Sequence, residues 1–481
     1  MKKFLCLVAL LVASVSLASC VMPGVGPGTG IQDASGKTTI TFWHAMGQAN
    51  QAVIDIMIES FEKAYPMFDV EQTSQGGYTD LRDKILYSVP VGEGPTIAQA
   101  YPDHIANYLY ASALTSLDEY INNTATVGSL INYTEDATWA TSAAAQEQAG
   151  YTQADIDDFV AAFYAEGSVY GDGKMYCVPF NKSTEVLFYN KDFFKAYATE
   201  LAQYGVQADG TWTNPTWDQV EGIAKFYATT KEYASLDATL KEVASGFSVD
   251  SESNLFITLT QQWGGKYTGF DANGKGQYLF NNAQSKEAIG WFASKFNEGI
   301  FGTAQKFGTD YSSDAFKAWQ CIMTTGSSAG ASYNTSSAFE TGVAAYPQRA
   351  DGQNKNVIQQ GTNVCLFDRD NKLEELGGWL FMKWMTNFDN ALLWCTNTAY
   401  FPIRESVYNS VEYQAKVADG TVTSQAQLVG WSQQSIFYTS EAFMGSSKAR
   451  DEVEGLVRAV LVGTPIEDAY KAAIDNCNSR I

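Results

Sequence analysis

The side chains able to do chemistry in this sequence are few, and most point to binding rather than catalysis. Ser327 sits near the end of Ala315–Gly330, AFKAWQCIMTTGSSAG, which reads as a short helix, a strand over Cys321–Thr325 and a Gly/Ser corner. Free backbone N–H groups and a hydroxyl at such a corner suit a phosphate or carboxylate. Serine is also an ordinary N-cap, and on the residues alone capping is the simpler account. Ser183, in the polar stretch Asn181–Thr184, has the same two readings in balance. Arg450 has the planar fork that grips an anionic oxygen, but beside Glu452 and Glu454 a surface role is, on the residues alone, the simpler account. Tyr78, Tyr101 and Tyr400 can stack on a sugar or donate a hydrogen bond, as can Trp43, Trp263 and Trp431 by stacking. With 27 tyrosines in the chain, packing is the ordinary use of any one. Only two histidines occur among 481 residues, which argues against histidine-based catalysis and multi-histidine metal sites. His44 reads as structural. The acidic groups Asp80 with Asp83, and Asp451 with Glu452 and Glu454, read as solvated helix faces. No spacing sets two carboxylates as a glycosidase pair. No catalytic residue, metal or cofactor is expected.

The elements that must position these groups follow from periodicity. Tyr176–Phe194, YCVPFNKSTEVLFYNKDFF, reads as strand, polar turn at 181–184, strand and helix start. At the front, Thr38–Trp43 alternates as a strand. Ala52–Tyr65 places Val53, Ile54, Met57, Ile58 and Phe61 at helical spacing, and Phe68–Thr73 is the next strand. This βαβ opening implies α/β architecture with a parallel sheet. Thr216 and Gln219 make a capping box before a helix. Leu255–Trp263, Ser285–Asn297 and Leu376–Asn387 are further helices, and Gly361–Phe367 is a strand. Thr464, Pro465 and Glu467 form a strong helix start, with the proline at the first helical position. Leu109–Tyr170, rich in Ala, Thr, Gln and Tyr, shows only helical patches such as Asp155–Phe163.

At 481 residues more than one domain is expected, and a net charge of −22 argues against nucleic acid as a partner. Lys2 and Lys3 precede an apolar run, Phe4–Leu17, too short to span a membrane. Leu17-Ala18-Ser19-Cys20 resembles a bacterial lipobox, with Cys20 as the lipidated residue. Residues 1–19 are then a lipoprotein signal peptide, and the Gly/Pro-rich residues 20–37 a flexible tether. Cys177, Cys321, Cys365, Cys395 and Cys477 fit no zinc spacing. They read either as members of an unassigned disulfide or as buried thiols.

Separated segments resemble, in order, the extracellular solute-binding proteins of carbohydrate-type ABC importers. They are ITFWH near the start, the 176–194 stretch, NPTWDQV at 214–220, FKAWQCIMTTGSSA at 316–329, WLFMKWMTN at 379–387, AYFPIRESV at 399–407 and GTPIEDAYKAA at 463–473. The resemblance implies the periplasmic-binding-protein type II fold, two α/β lobes joined by a hinge crossed more than once. It assigns 38–180 plus about 343–385 to one lobe, and 181–342 plus about 386–481 to the other. The glycerol-3-phosphate-binding members resemble the chain most, through FWHAM, Gly76–Tyr78, Pro179–Asp192 and Cys321–Ser328. Carried over residue by residue, their ligand positions fall on Tyr78, Ser183, Ser327, Gly361, Tyr400 and Arg450. The family glutamate after its Q-x-Y strand has no counterpart at that spot. Pro102 follows Gln99-Ala100-Tyr101, and Asp103 is the acid one residue on. The implied protein is a monomer held at the outer face of a membrane by its lipid, or in the periplasm. It would pass a small polar solute to permease subunits. That solute is a phosphate ester like glycerol 3-phosphate or, as the alternative, a neutral mono- or oligosaccharide.

Overall fold

The computed structural model describes residues 31–479. The signal segment, Cys20 and most of the expected tether lie outside the described residues. Strand β1 (Gln32–Ala34) falls within the stretch read as tether. In β2 (Thr38–His44) the alternation holds, with Ile40, Phe42 and His44 buried. The helix Gln48–Ala64 lays Val53, Ile54, Met57, Ile58 and Phe61 on the same core. Each such side chain contributes about 1.5–3 kcal/mol by leaving water. The chain returns in β3 (Phe68–Ser74), parallel to β2, and β4 (Ile97–Ala100) lies on the other side of β2. Strand β5 (Ile131–Tyr133) pairs in parallel with β1 and Ala34 is buried, so the end of the tether is built into the fold.

β6 (Cys177–Asn190) is one strand of 14 residues, buried throughout. Beyond it come β7 (Phe247–Val249), the hairpin β8 (Thr268–Phe270) and β9 (Gly276–Tyr278), β10 (Phe301–Thr303), β11 (Met323–Ser327), β12 (Thr341–Ala345), β13 (Val357–Leu366) and β14 (Phe437–Tyr438). The main sheet runs β10-β7-β11-β6-β13-β4-β2-β3, with β12 also on β6 and β14 on β13. β6 changes partners along its length. Cys177–Thr184 pairs with β13, and from Glu185 or Val186 onward the strand pairs with β11 and β12. The change of partner marks the passage from one lobe to the other, and β13 and β14 run beside it.

Two cores divide the chain differently from the sequence expectation. The first holds Phe42, Phe61, Trp379 and Phe381, and also Trp394, Phe401, Tyr413 and Trp431. The second holds Trp217, Phe247, Phe301, Tyr346, Leu456 and Tyr470. Residues 343–346 therefore pack with the second lobe, because β12 pairs Val186–Asn190. Much of 386–431 packs with the first, because its rings cover that core: Trp394 stacks on Phe180 at 4.6 Å and Trp431 on Tyr408 at 4.1 Å. In the 109–170 region the expected helix over Asp155–Phe163 is two, Gln153–Asp158 and Ala161–Ala165, divided at the extended Phe159. Thr216 and Gln219 form their capping box in full. The last helix starts one residue later than its sequence suggests. Pro465 occupies the N-cap position of Ile466–Asn478, and Glu467 pairs with Lys286 instead of closing a box.

Candidate functional site

The site is built on β6. The turn expected at 181–184 is absent, because each polar side chain there finds a partner that keeps the strand extended. Gln99 Nε2 donates to Asn181 Oδ1 at 2.6 Å. Lys182 pairs with Glu166, which also accepts from Asn363 Nδ2 at 2.8 Å. Thr184 Oγ1 donates to the Ile358 carbonyl at 2.8 Å. Opposite Lys182, Gly361 has φ +97°, and a Cβ there would lie 1.9 Å from the Asn181 carbonyl oxygen. Only glycine lets the two strands approach so closely. The register shifts just beyond, between Thr362 and Asn363.

Three groups of side chains surround this crossing. From the first lobe, Tyr78 begins the helix Tyr78–Ser88 and meets Tyr101 edge-on at 4.8 Å. Its hydroxyl accepts from Asn181 Nδ2 at 3.4 Å and shares a hydrogen bond with Tyr400. Tyr400 in turn stacks on Trp394 at 5.7 Å. Burial pushes all three phenols up, so they serve as neutral hydrogen-bonding groups. From the second lobe, Arg450 on the helix Ser446–Leu461 donates to Asn254 Oδ1. Asn254 Nδ2 donates to Glu185 Oε1 at 3.1 Å. Burial pushes the Glu185 carboxyl up to about 7 against the opposing pull of the Asn254 bond, with Asp250 adding to the rise and Arg450 opposing it. At the corner, Ser327 Oγ accepts from the Ala329 N–H and donates to Ser183 Oγ, both at 3.2 Å. Ser327 is thus a cap that also reaches Ser183.

A cavity of about 120 Å³ lies between these groups, lined by Tyr101, Asp103, Gly361, Tyr438, Glu441 and Arg450 among others. A second, of about 210 Å³, lies on the other side of Arg450 and is lined by Tyr78, Arg82, Asp103, Asp451 and Glu454. The geometry thus brings Tyr78, Asp103, Gly361 and Arg450 to one place. Tyr400 stands behind Tyr78, Ser183 lies next along β6, and Ser327 borders a separate cavity. Glu454 departs in part from the expectation of a solvated face, being partly buried at the cavity wall, whereas Asp451 is exposed as expected; desolvation beside the cavity raises both carboxyls. The sequence reading missed Asn254, Glu185, Tyr267 and Gln359. The buried Tyr267 hydroxyl and Gln359 Oε1 border the smaller cavity without a hydrogen-bond partner. Leaving such atoms unpaired costs about 1–3 kcal/mol each, which a polar ligand would recover. Asn254, Tyr267 and Gln359 lie in no motif, and Glu185, although inside the 176–194 stretch, gives no sign there of its distant partner, so only the fold brings the four to notice.

The other candidates are structural. His44 is buried, with Nε2 2.9 Å from Gln72 Oε1 and Nδ1 accepting from the Met46 N–H. Trp43 is partly buried in the first lobe, and Trp263 packs on Trp291 and under Arg349. The five described cysteines are free and buried. Among the described residues no acid, histidine or cysteine cluster could hold a metal, and no helix is long and apolar enough to cross a membrane. The lobes touch across the cleft, where Asn107 Nδ2 donates to Ser447 Oγ at 2.9 Å.

Residues 57–420 match the family described as bacterial extracellular solute-binding protein. The sn-glycerol-3-phosphate-binding periplasmic protein UgpB of Escherichia coli K12 is 24% identical over 392 residues, covering 79% of this chain and 78% of its own length. That of Salmonella typhimurium is 24% identical over 387 residues, covering 78% and 77%. UgpB from Mycobacterium tuberculosis, solved in complex with glycerophosphocholine, superposes with a TM-score of 0.68 at 15% identity, over 92% of this chain and 98% of its own. Lmo0181 from Listeria monocytogenes, an ABC substrate-binding protein solved with cycloalternan, gives 0.68 at 19% identity, over 92% and 98%. At these identities the solved structures establish the shared two-lobed fold.

Proposed function

Because the chain belongs to the bacterial extracellular solute-binding proteins, and so binds rather than transforms its solute, we propose that it captures a glycerol phosphate ester between its lobes and passes it to the permease of an ABC importer. The observation that carries this reading is Arg450. Its guanidinium borders both cavities and is held through Asn254 rather than by a direct carboxylate partner. It is free to take an anionic oxygen bidentately. In this reading the hydroxyls of Ser183 on β6 and of Ser327 at the end of β11 lie toward the solute. Tyr78, Tyr400 and Asp103 receive the glycerol hydroxyls, with Asp103 in place of the family glutamate. The Gly361 backbone lines the cavity at the point where β13 lies close against β6.

The wall also carries Asp103 and Glu441, besides Glu166, whose charge is met by Lys182. A phosphate with a single negative charge suits that setting better than a dianion. A glycerophosphodiester is therefore the better fit within the class. The glycerophosphocholine in the Mycobacterium tuberculosis relative is such a diester and supports the reading. Calorimetry with glycerol 3-phosphate, glycerophosphocholine and maltose tests it. Heat with the phosphate esters, lost in Arg450→Ala, is expected. Tight maltose binding with no response to either phosphate would overturn it and favour the neutral-sugar alternative.

We further propose that Cys20 carries the lipid that tethers the protein, on the sequence grounds of its basic start, apolar run and small-residue approach. Cys20→Ala should move the protein from the membrane to the soluble fraction.

A further inference from the structure

Beyond Ser327 the second lobe carries a larger compartment, of about 640 Å³, that the glycerol-phosphate reading leaves empty of purpose. Its position follows from topology. β10, β7 and β11 run parallel, so their C-terminal ends lie along one edge. Asp250 follows β7, Gly308–Tyr311 follows β10, and Ser327 ends β11. Ligands of open α/β sheets sit outside such edges. Ser327 borders the compartment and its hydroxyl donates to Ser183, which in turn donates to Gln360 on the wall of the first site.

The lining has the chemistry of a neutral, hydroxyl-rich ring. Tyr311 and Tyr333 border the compartment and are 67% and 71% exposed, among the most exposed large apolar side chains described. An aromatic face left in water is a stacking surface for a sugar or cyclitol. Asn334, 2% exposed, borders the same space with its Oδ1 lacking any hydrogen-bond partner. Asp250 uses Oδ1 for the Ser312 N–H at 2.7 Å and the Ser312 hydroxyl. Its Oδ2 lies against Gly326, where a Cβ would come within 2.6 Å, so glycine leaves that oxygen room. Lys317 is paired with Asp314 at 2.9 Å, so among the described residues the wall has no free cation to attract a second anion.

We propose that this compartment is a second subsite, which takes a neutral polyhydroxylated ring joined to the glycerol phosphate held at Arg450. The solute is then an extended glycerophosphodiester whose second alcohol is sugar-like. The inference rests on the reading of Arg450 above, and its test separates the two.

Wild type, Tyr311→Ala and Tyr333→Ala are titrated with glycerol 3-phosphate, glycerophosphocholine and glycerophosphoinositol. Both substitutions are at exposed positions, and the melting temperature verifies folding. Glycerophosphoinositol should bind about tenfold more tightly than the other two, equivalent to about 1.4 kcal/mol. Each variant should remove most of that gain while leaving glycerol 3-phosphate unchanged. Equal affinity for all three esters, or variants that weaken all three alike, would overturn the subsite. If no phosphate ester binds at all, the Arg450 reading has failed on its own, and the subsite is then judged with maltotriose against glucose. A loss confined to maltotriose in Tyr333→Ala keeps the subsite, and no difference between the sugars removes it.

Discussion

Two charge networks flank Ser183 on the crossing strand, and they are wired differently. On one side Lys182 meets Glu166 directly, both nearly fully buried, with Asn363 and Thr439 adding bonds to the same carboxylate. On the other side Arg450 and Glu185 do not touch; the Asn254 amide stands between them. A direct buried pair fills both partners' needs and leaves nothing for a solute. An amide relay fixes the guanidinium by one corner and keeps its remaining donors available. On the proposed function, the first network is a clamp on the hinge and the second a poised anion receptor, and neighbouring stretches of one strand then serve stability and recognition separately.

The largest effect should come from breaking the clamp. Lys182→Met strands the Glu166 carboxylate in the interior, and unfolding in urea should show a loss of about 3–5 kcal/mol. Replacing Lys182 and Glu166 together by Met and Gln should recover much of it, because what is costly is the unpaired charge. Breaking the receptor should do the reverse. Arg450→Ala should weaken phosphate-ester binding about a hundredfold by calorimetry, equivalent to about 2.7 kcal/mol, and leave the melting temperature within a few degrees. A variant at Lys182 that lost only binding, or one at Arg450 that lost only stability, would erase the distinction.

Glu185 sharpens the comparison through stability. Its carboxyl is held up to about 7 by burial, above the usual 4.5. Between those values the unfolded chain has released a proton that the folded one keeps, so this group's contribution to stability falls as pH rises from about 4.5 to 7 and is level above. Glu185→Gln removes that slope. At pH 5 the variant should match wild type closely, and at pH 8 it should be more stable by on the order of 2–3 kcal/mol in urea unfolding.

Much of this architecture was legible in the sequence, and what was not has a physical reason. The βαβ opening and the Thr216 capping box are local patterns, and the structure reproduces them. Tyr78, Gly361 and Arg450 come from the family resemblance and Asp103 from the spot where the chain departs from it; the fold sets Tyr78, Asp103 and Arg450 around one cavity, and Asp103, Gly361 and Arg450 around the adjoining one. The 181–184 turn was misread because four polar residues in a row ordinarily face water; here Gln99, Glu166 and β13 answer them from distant parts of the chain. The lobe limits were misplaced for the same reason. Trp394 and Trp431 carry no local sign of which core they will cover. Asn254 was invisible because a relay residue is defined by its two partners, Glu185 and Arg450, each far away in sequence.

The smallest effect follows from the relay itself and concerns binding. When Glu185 is neutral, the Arg450 charge meets the solute uncompensated. When Glu185 ionises, its charge lies one amide away and draws on the same guanidinium. A phosphodiester should therefore bind a few-fold more weakly at pH 8 than at pH 6. A diester is the right probe, because a phosphate monoester itself titrates near pH 6 and would mask the effect. By linkage, binding must also raise the Glu185 carboxyl further, so the complex should take up a fraction of a proton near pH 7–8. Calorimetry in two buffers of different ionisation heat measures that uptake. Asp250 also faces Glu185 and is itself raised by burial, so the assignment rests on Glu185→Gln, in which both the pH dependence and the proton uptake should vanish. If they persist there, the titrating group is another, and the amide relay only positions Arg450 without tuning it.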